Sequence, residues 1–157
     1  MKLSHINNQG NSQMVDVSDK RVTKRNAKAK ATIKMQKETI QRIKDGGIKK
    51  GDVLSVSQIA GIMAAKNTSS LIPMCHPLPI SKINITFEIN EALNEIYIIS
   101  DVSVTANTGV EMEALTAVSI AALTIYDMCK GIDKTMEITN TYLLEKTGGT
   151  SGEIRKL

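Results

Sequence analysis

Apolar and polar residues alternate over residues 27–35. Ala27, Ala29, Ala31, Ile33 and Met35 fall on one side and Lys28, Lys30, Thr32 and Lys34 on the other, the period-two pattern of a strand with one wet face. That basic face is either solvated or turned toward a ligand. Over residues 37–45 the spacing becomes helical through Ile40 and Ile43, and Gly46-Gly47 supplies a stop. A second helix is predicted to begin near Ser57, to carry Ile59, Ile62 and Met63 inward, and to end before the proline-punctuated loop 73–79. Ile83, Ile85, Phe87 and Ile89 alternate, as do Ile96 with Ile98 and Val102 with Val104, so residues 90–94 read as the turn of an antiparallel hairpin. Residues 108–130 read as the longest helix, and Met136, Ile138 and the region of Leu143 as a last strand ahead of a Gly-rich tail.

The order strand, two helices, two strands, helix, strand predicts an α+β fold: a ferredoxin-like sandwich, an antiparallel sheet packed by helices, with one extra helix. No repeat, low-complexity tract or linker interrupts it. The expectation is a single domain over residues 1–157, with about 1–15 and about 147–157 flexible without ligand.

Composition narrows the function. A chain of 157 residues buries enough surface to fold without a staple. Its two cysteines, Cys75 and Cys129, lie in dissimilar contexts, and with only His5 and His76 to complete a site they predict no metal centre and a reduced compartment. The start has no apolar core, and later apolar stretches read as too interrupted for a membrane span. A cytoplasmic protein is expected. Formal charge is +4, with much of the excess between Lys20 and Lys50, which favours an anionic partner. One Phe, three Tyr and no Trp leave little for bases to stack on. A phosphorylated small molecule therefore fits better than nucleic acid.

Four groups of residues could carry chemistry. In the loop around Cys75 and His76, prolines restrict the backbone; the imidazole could bond a phosphate or shuttle a proton, or be an ordinary histidine bonded to a carbonyl. In Thr108-Gly109-Val110-Glu111-Met112-Glu113 the Thr108/Glu111 spacing is that of a capping box. Glu113 beyond it could accept paired N–H donors of a guanine-like ring with Met112 beside it, or be an exposed acid of a first helical turn. Asp127 and Lys130 share a helical face, either as a surface pair or, on a helix buried on most sides, as a base whose pKa is lowered by desolvation. Lys146 and the glycines after it could approach phosphates or belong to a frayed tail.

Gly61-Ile62-Met63-Ala64-Ala65-Lys66, the loop 71–79, residues 108–116 and residues 121–130 together resemble the MoaC family, over about residues 4–155. The resemblance implies a hexamer of three dimers with active sites at subunit interfaces. It also implies the rearrangement of 3′,8-cyclo-7,8-dihydroguanosine triphosphate to cyclic pyranopterin monophosphate with loss of diphosphate. The family's catalytic aspartate and lysine fall on Asp127 and Lys130, with Lys50 a further acid–base position. Its substrate contacts fall on Met74, Cys75, His76, Met112, Glu113, Glu111 and Lys146, and in the N-terminal segment on Asp16, Lys20 and Arg25. Asn67, Asn107 and Thr150 stand where the family commonly has a basic residue. Lys20, Arg25, Lys50, His76 and Lys146 would then bind the triphosphate, and Lys130, oriented by Asp127, would move protons. No cofactor is required, though magnesium could accompany the triphosphate. The competing expectation is a non-catalytic ferredoxin-like module that binds a nucleotide or RNA.

Overall fold

The computed structural model describes residues 5–149 and 152–156. Along the chain run β1 (Thr23–Lys34), α1 (Lys37–Lys44), α2 (Val53–Lys66), the single turn α3 (Thr68–Leu71), β2 (Ile80–Asn90), β3 (Glu95–Ala106), α4 (Glu111–Cys129), β4 (Glu137–Thr147) and β5 (Ile154–Arg155). The strands form one sheet in the order β2-β3-β1-β4-β5, every neighbouring pair antiparallel. Each helical crossover thus skips one strand, which is the ferredoxin-like arrangement. The first crossover holds α3 in addition to the two helices predicted. The short β5 pairs with β4 through Glu145–Arg155 and Lys146–Ile154, covering an edge that would otherwise expose unpaired backbone groups.

The predicted alternation in β1 is real, and Ala27, Ala29, Ala31 and Ile33 are fully buried. Their small size lets α4 lie close, with Ala114, Ala117 and Ala121 equally buried across from them; Ile85, Ile96, Ile98, Val102, Val104, Val118 and Ile125 fill the remaining volume. By length and mean hydropathy α4 could cross a membrane, contrary to the reading of the apolar stretches as too interrupted for a span. Its buried stripe, from Ala114 to Met128, is instead consumed by core packing.

On the other face of the sheet the lysines of β1 find partners. Lys28 pairs with Glu145 at 3.6 Å, and Lys30 lies over the Tyr97 ring, 3.8 Å from its centroid. Beside them Lys82 and Asn26 both donate to Asp101, at 2.6 Å each. Of the β1 lysines, Lys28 thus has a carboxylate partner and Lys30 an aromatic one.

Two predictions are corrected. Helix α2 begins at Val53, where the Asp52 carboxylate accepts from the Ser55 amide at 3.0 Å and the Ser55 hydroxyl at 2.6 Å as an N-cap. It buries Val53, Ser57, Gly61, Ala64 and Ala65, not Ile59 and Met63, which remain 59% and 57% exposed. Close approach of α2 to α4 decides this: a Cβ on Gly61 would sit 2.9 Å from the Ala117 carbonyl oxygen. Small residues take the inner face and large ones turn outward.

The second correction concerns α4, which is capped by Val110 without any side-chain bond. Glu111 instead meets the Lys146 ammonium at 2.6 Å. An ionic partner reaching over from β4 outcompetes the backbone amide that a capping box would offer.

Candidate active site

The start of α4, the loop after α3 and the N-terminal segment enclose a cavity of about 420 Å³. His5, Val15, Val17, Lys20, Met74, Cys75, His76, Leu78, Thr108, Gly109, Glu111, Met112 and Glu113 line it. The loop holds its shape through the Cys75 amide, which donates to the Ile72 carbonyl at 3.0 Å. Glu113 is 3% exposed, not the exposed acid that a first helical turn usually carries. Among the described residues no side chain donates to it. Burial pushes its carboxyl pKa up, and the charge of Glu111 adds to that. Burial also raises the Cys75 thiol, helped by Glu113, so the thiol form prevails there. His76 makes no carbonyl bond among the described residues and remains free to meet a ligand.

A second cavity, of about 580 Å³, adjoins the first and shares Lys20, Thr108, Gly109 and Glu111 with it. Asp19, Arg21, Thr23, Arg25, Asn107, Lys146 and Gly149 complete its lining. Arg25 is oriented by two carbonyls at the end of β3: Nε donates to Ala106 at 3.1 Å and Nη2 to Asn107 at 3.2 Å. Gly148, at φ +85°, carries the chain from β4 across the Lys24–Arg25 backbone, where a side chain would collide with the Lys24 carbonyl. Lys146 and Glu111 sit between the two cavities as a half-buried ion pair. Asp16 is exposed and accepts from the amide and hydroxyl of Ser18, which with the nearby His76 hold its carboxyl below the usual range.

Asp127, Lys130 and Lys50 form a separate cluster at the far end of α4. Asp127 accepts from Lys130 at 2.7 Å through one oxygen and from Lys50 at 2.9 Å through the other. The Lys50 ammonium also donates to the Asp127 carbonyl, at 2.8 Å. These contacts, Lys130 first, pull the Asp127 carboxyl down to about 2. The same bond raises the Lys130 pKa, which corrects the expectation of a desolvated lysine with a lowered one. Ala121, Ala122 and Ile125 ahead of it face the core, while Asp127 and Lys130 are on the outer face, with side chains 57% and 56% exposed. Arg42, Lys49 and Ile132 flank Lys50 around an adjacent cavity of about 280 Å³.

The site residues inferred from sequence therefore fall into two groups. Met74, Cys75, His76, Met112, Glu113, Glu111, Lys146, Arg25 and Lys20 line the paired cavities, with Asp16 at their edge. Lys50, Asp127 and Lys130 are elsewhere: Glu113 and Asp127 are roughly 21 Å apart along the axis at ~1.5 Å of rise per residue. Sequence reasoning missed Val15, Val17, Asp19, Arg21 and Thr23, which enter only through the path of the N-terminal segment and the β1 edge. Arg21, inside the basic stretch, carried the one readable signal. Asn67 caps α2 by donating to the Met63 carbonyl at 2.8 Å, and Asn107 donates to the Val17 carbonyl. Thr150 lies outside the described residues.

Fold and clefts together define a class: an α+β sandwich protein with two adjoining clefts, one holding a buried carboxylate and the other lined by Lys20, Arg21 and Arg25, and a lysine–carboxylate triad as a second charged centre. The MoaC family model matches residues 14–149, and the chain belongs to that family. It is 58% identical over 154 residues to the cyclic pyranopterin monophosphate synthase of Syntrophomonas wolfei, an alignment covering 98% of each chain. The proteins of the same name from Listeria monocytogenes and Clostridium perfringens are each 59% identical, over 98% and 97% of this chain and 95% and 96% of their own.

Proposed function

We propose that this protein is a lyase of molybdenum cofactor biosynthesis that converts 3′,8-cyclo-7,8-dihydroguanosine triphosphate to cyclic pyranopterin monophosphate and diphosphate. Family membership supports the reaction, and the observation that carries the site is Glu113, a buried carboxylate without a side-chain donor beside His76, Cys75 and Met112. A ring with adjacent N–H groups supplies the two donors it lacks. Lys20, Arg21 and Arg25 in the adjoining cavity suit the triphosphate and the charge that builds on departing diphosphate. Any magnesium belongs to the triphosphate as part of the substrate.

Proton transfer falls to Lys130 and Lys50, which Asp127 holds ready at hydrogen-bond distance. A single subunit keeps them roughly 21 Å from Glu113 along α4, farther than one ring system reaches. We therefore assign each active site to two subunits, the ring-binding end of α4 from one and the lysine end from another, within a homo-hexamer of three dimers. The uncovered Val56, Ile59, Met63 and Leu123 on the outer faces of α2 and α4 offer apolar surface for such contacts. A cytoplasmic location accords with the two free cysteines. One Phe, three Tyr and no Trp offer bases little to stack on, and we assign no nucleic-acid partner.

The test is incubation of the purified protein with the cyclised triphosphate, with release of diphosphate and the pterin product as the expected outcome. Tight binding of nucleotide or RNA without turnover would favour a non-catalytic module instead.

A further inference from the structure

Residues 5–22 reach the paired cavities as a strap outside the sheet and helices. Internal bonds shape it: the Lys20 amide donates to the Val17 carbonyl at 3.1 Å, and Asp16 accepts from the Ser18 amide at 2.9 Å and its hydroxyl at 2.7 Å. Among the described residues one hydrogen bond ties this strap to the rest of the molecule. It is donated by the Asn107 side-chain amide to the Val17 carbonyl, at 2.9 Å. That carbonyl thereby accepts twice, once to close the turn and once to anchor it. Either side of the anchor, Val15 and Val17 wall the first cavity, Asp19 and Arg21 the second, and Lys20 both. The main-chain carbonyl of Asn107 meanwhile accepts from Arg25, so one residue registers the strap against the arginine that lines the same space.

We infer that Asn107 is a positioning residue, a clasp that holds the turn at residues 16–20 across the cleft so that Lys20 stands between ring and phosphates. The kinetic consequence rests on the proposed function; the clasp itself rests on geometry. The side-chain amide supplies the N–H donor that the Val17 carbonyl accepts. Losing a lone tether frees the turn to leave the cleft, and a ligand that needs the turn in place then binds in proportion to the fraction still docked.

Amide hydrogen exchange on the ligand-free protein, together with steady-state kinetics on the cyclised triphosphate, tests the inference. Asn107→Leu approximates the shape, removes the donor and adds no charge, and Asn107→Ala serves if that variant does not fold. Loss of one such bond should speed exchange at Ser18 and Lys20 roughly three- to tenfold, with KM rising by a similar factor and kcat holding within about twofold. Asn107→Gln, which keeps the amide, should restore both toward the parent. Adding Asn107→Leu to Lys20→Ala should raise KM by less than the product of the two single effects, because the clasp acts through the turn. Unchanged exchange over residues 13–22 in Asn107→Leu, or KM effects of the two substitutions that multiply, would overturn the clasp. A parent protein silent toward the triphosphate would remove the proposed reaction and leave exchange to decide the clasp.

Discussion

At the N-terminal end of α4 a carboxylate, Glu113, is buried without a side-chain donor, whereas at the C-terminal end Asp127 stands in solvent held by two lysines. The first is an unbalanced charge inside a cavity, where low polarity makes any donor from a ligand worth more. The second is a balanced cluster in water, where ion pairs contribute little to stability and mainly fix where the ammonium groups are. The helix places the two roughly 21 Å apart. In the proposed reaction one end recognises the ring and the other exchanges protons, and both are needed. Complementarity of that kind on a single rigid element is what a site shared between subunits requires.

The sharpest way to break this comparison is to disable each end in a different subunit. Lys130→Ala should lower kcat about 10²- to 10⁴-fold while the protein stays folded, since an exposed helix-end lysine supports little packing. Glu113→Ala should also be inactive. Random reassembly of the two inactive variants should return about one intact site in four, because a mixed dimer joins one good end from each chain. No recovery after mixing, with exchange of subunits verified by mass, would mean that each chain works alone. The Asp127 carboxyl, depressed to about 2 from an ordinary 3.8, keeps its pairs with both lysines fully above 3.8 and loses them only as pH falls toward 2. The acid limb of a rate profile at pH 4 to 7 should therefore not come from this end.

A pH dependence of substrate binding should come from Glu113. Its carboxyl titrates above the ordinary 4.5, so the ionised form that accepts ring N–H groups is lost as pH falls through the raised value, and KM should climb there. Glu113→Gln should weaken substrate binding roughly 10- to 100-fold by removing charge-assisted bonds and flatten this dependence. The stability effect has the opposite sign. A raised folded-state pKa favours the fold at low pH and costs stability as pH rises from 4.5 through the folded value. Above that window Glu113→Gln should melt a few degrees higher than the parent, about 2–4 °C for each kcal/mol relieved. A variant that melts lower at neutral pH would mean that Glu113 has a partner that stabilises its charge.

A smaller effect, on stability alone, is expected where α2 crosses α4 midway between the two ends. Gly61→Ala would press a methyl group on the Ala117 carbonyl and the Ile85 side chain, at a cost of about 1–3 kcal/mol. The melting point should fall accordingly. If both ends of α4 lose activity together in this variant at temperatures where it remains folded, the spacing between them matters to catalysis as well as their identity.

Local pattern was a reliable guide wherever one residue's preference decided the outcome. The alternation in β1, the hairpin of β2 and β3, and the length of α4 all follow from periodicities that burial on one face enforces. The residue types of the site were legible too, because the motifs that carry them are contiguous in the chain. What the sequence could not express was competition between distant groups. Glu111 left its capping box for Lys146 on β4, and α2 turned Ile59 and Met63 outward because Gly61 allowed α4 to come closer than larger residues would. Val17 and Arg21 joined the clefts through a strap that Asn107 ties down from 90 residues away.

The sequence by itself determined the order of elements, the core strands and the chemical groups available. Only the tertiary structure decided that Glu113 is buried and Lys130 exposed, since both occupy helix-end positions of similar local character. Which end of a helix meets a cavity and which meets water depends on what the rest of the chain packs against it, and that is a property of contacts between residues far apart in the chain.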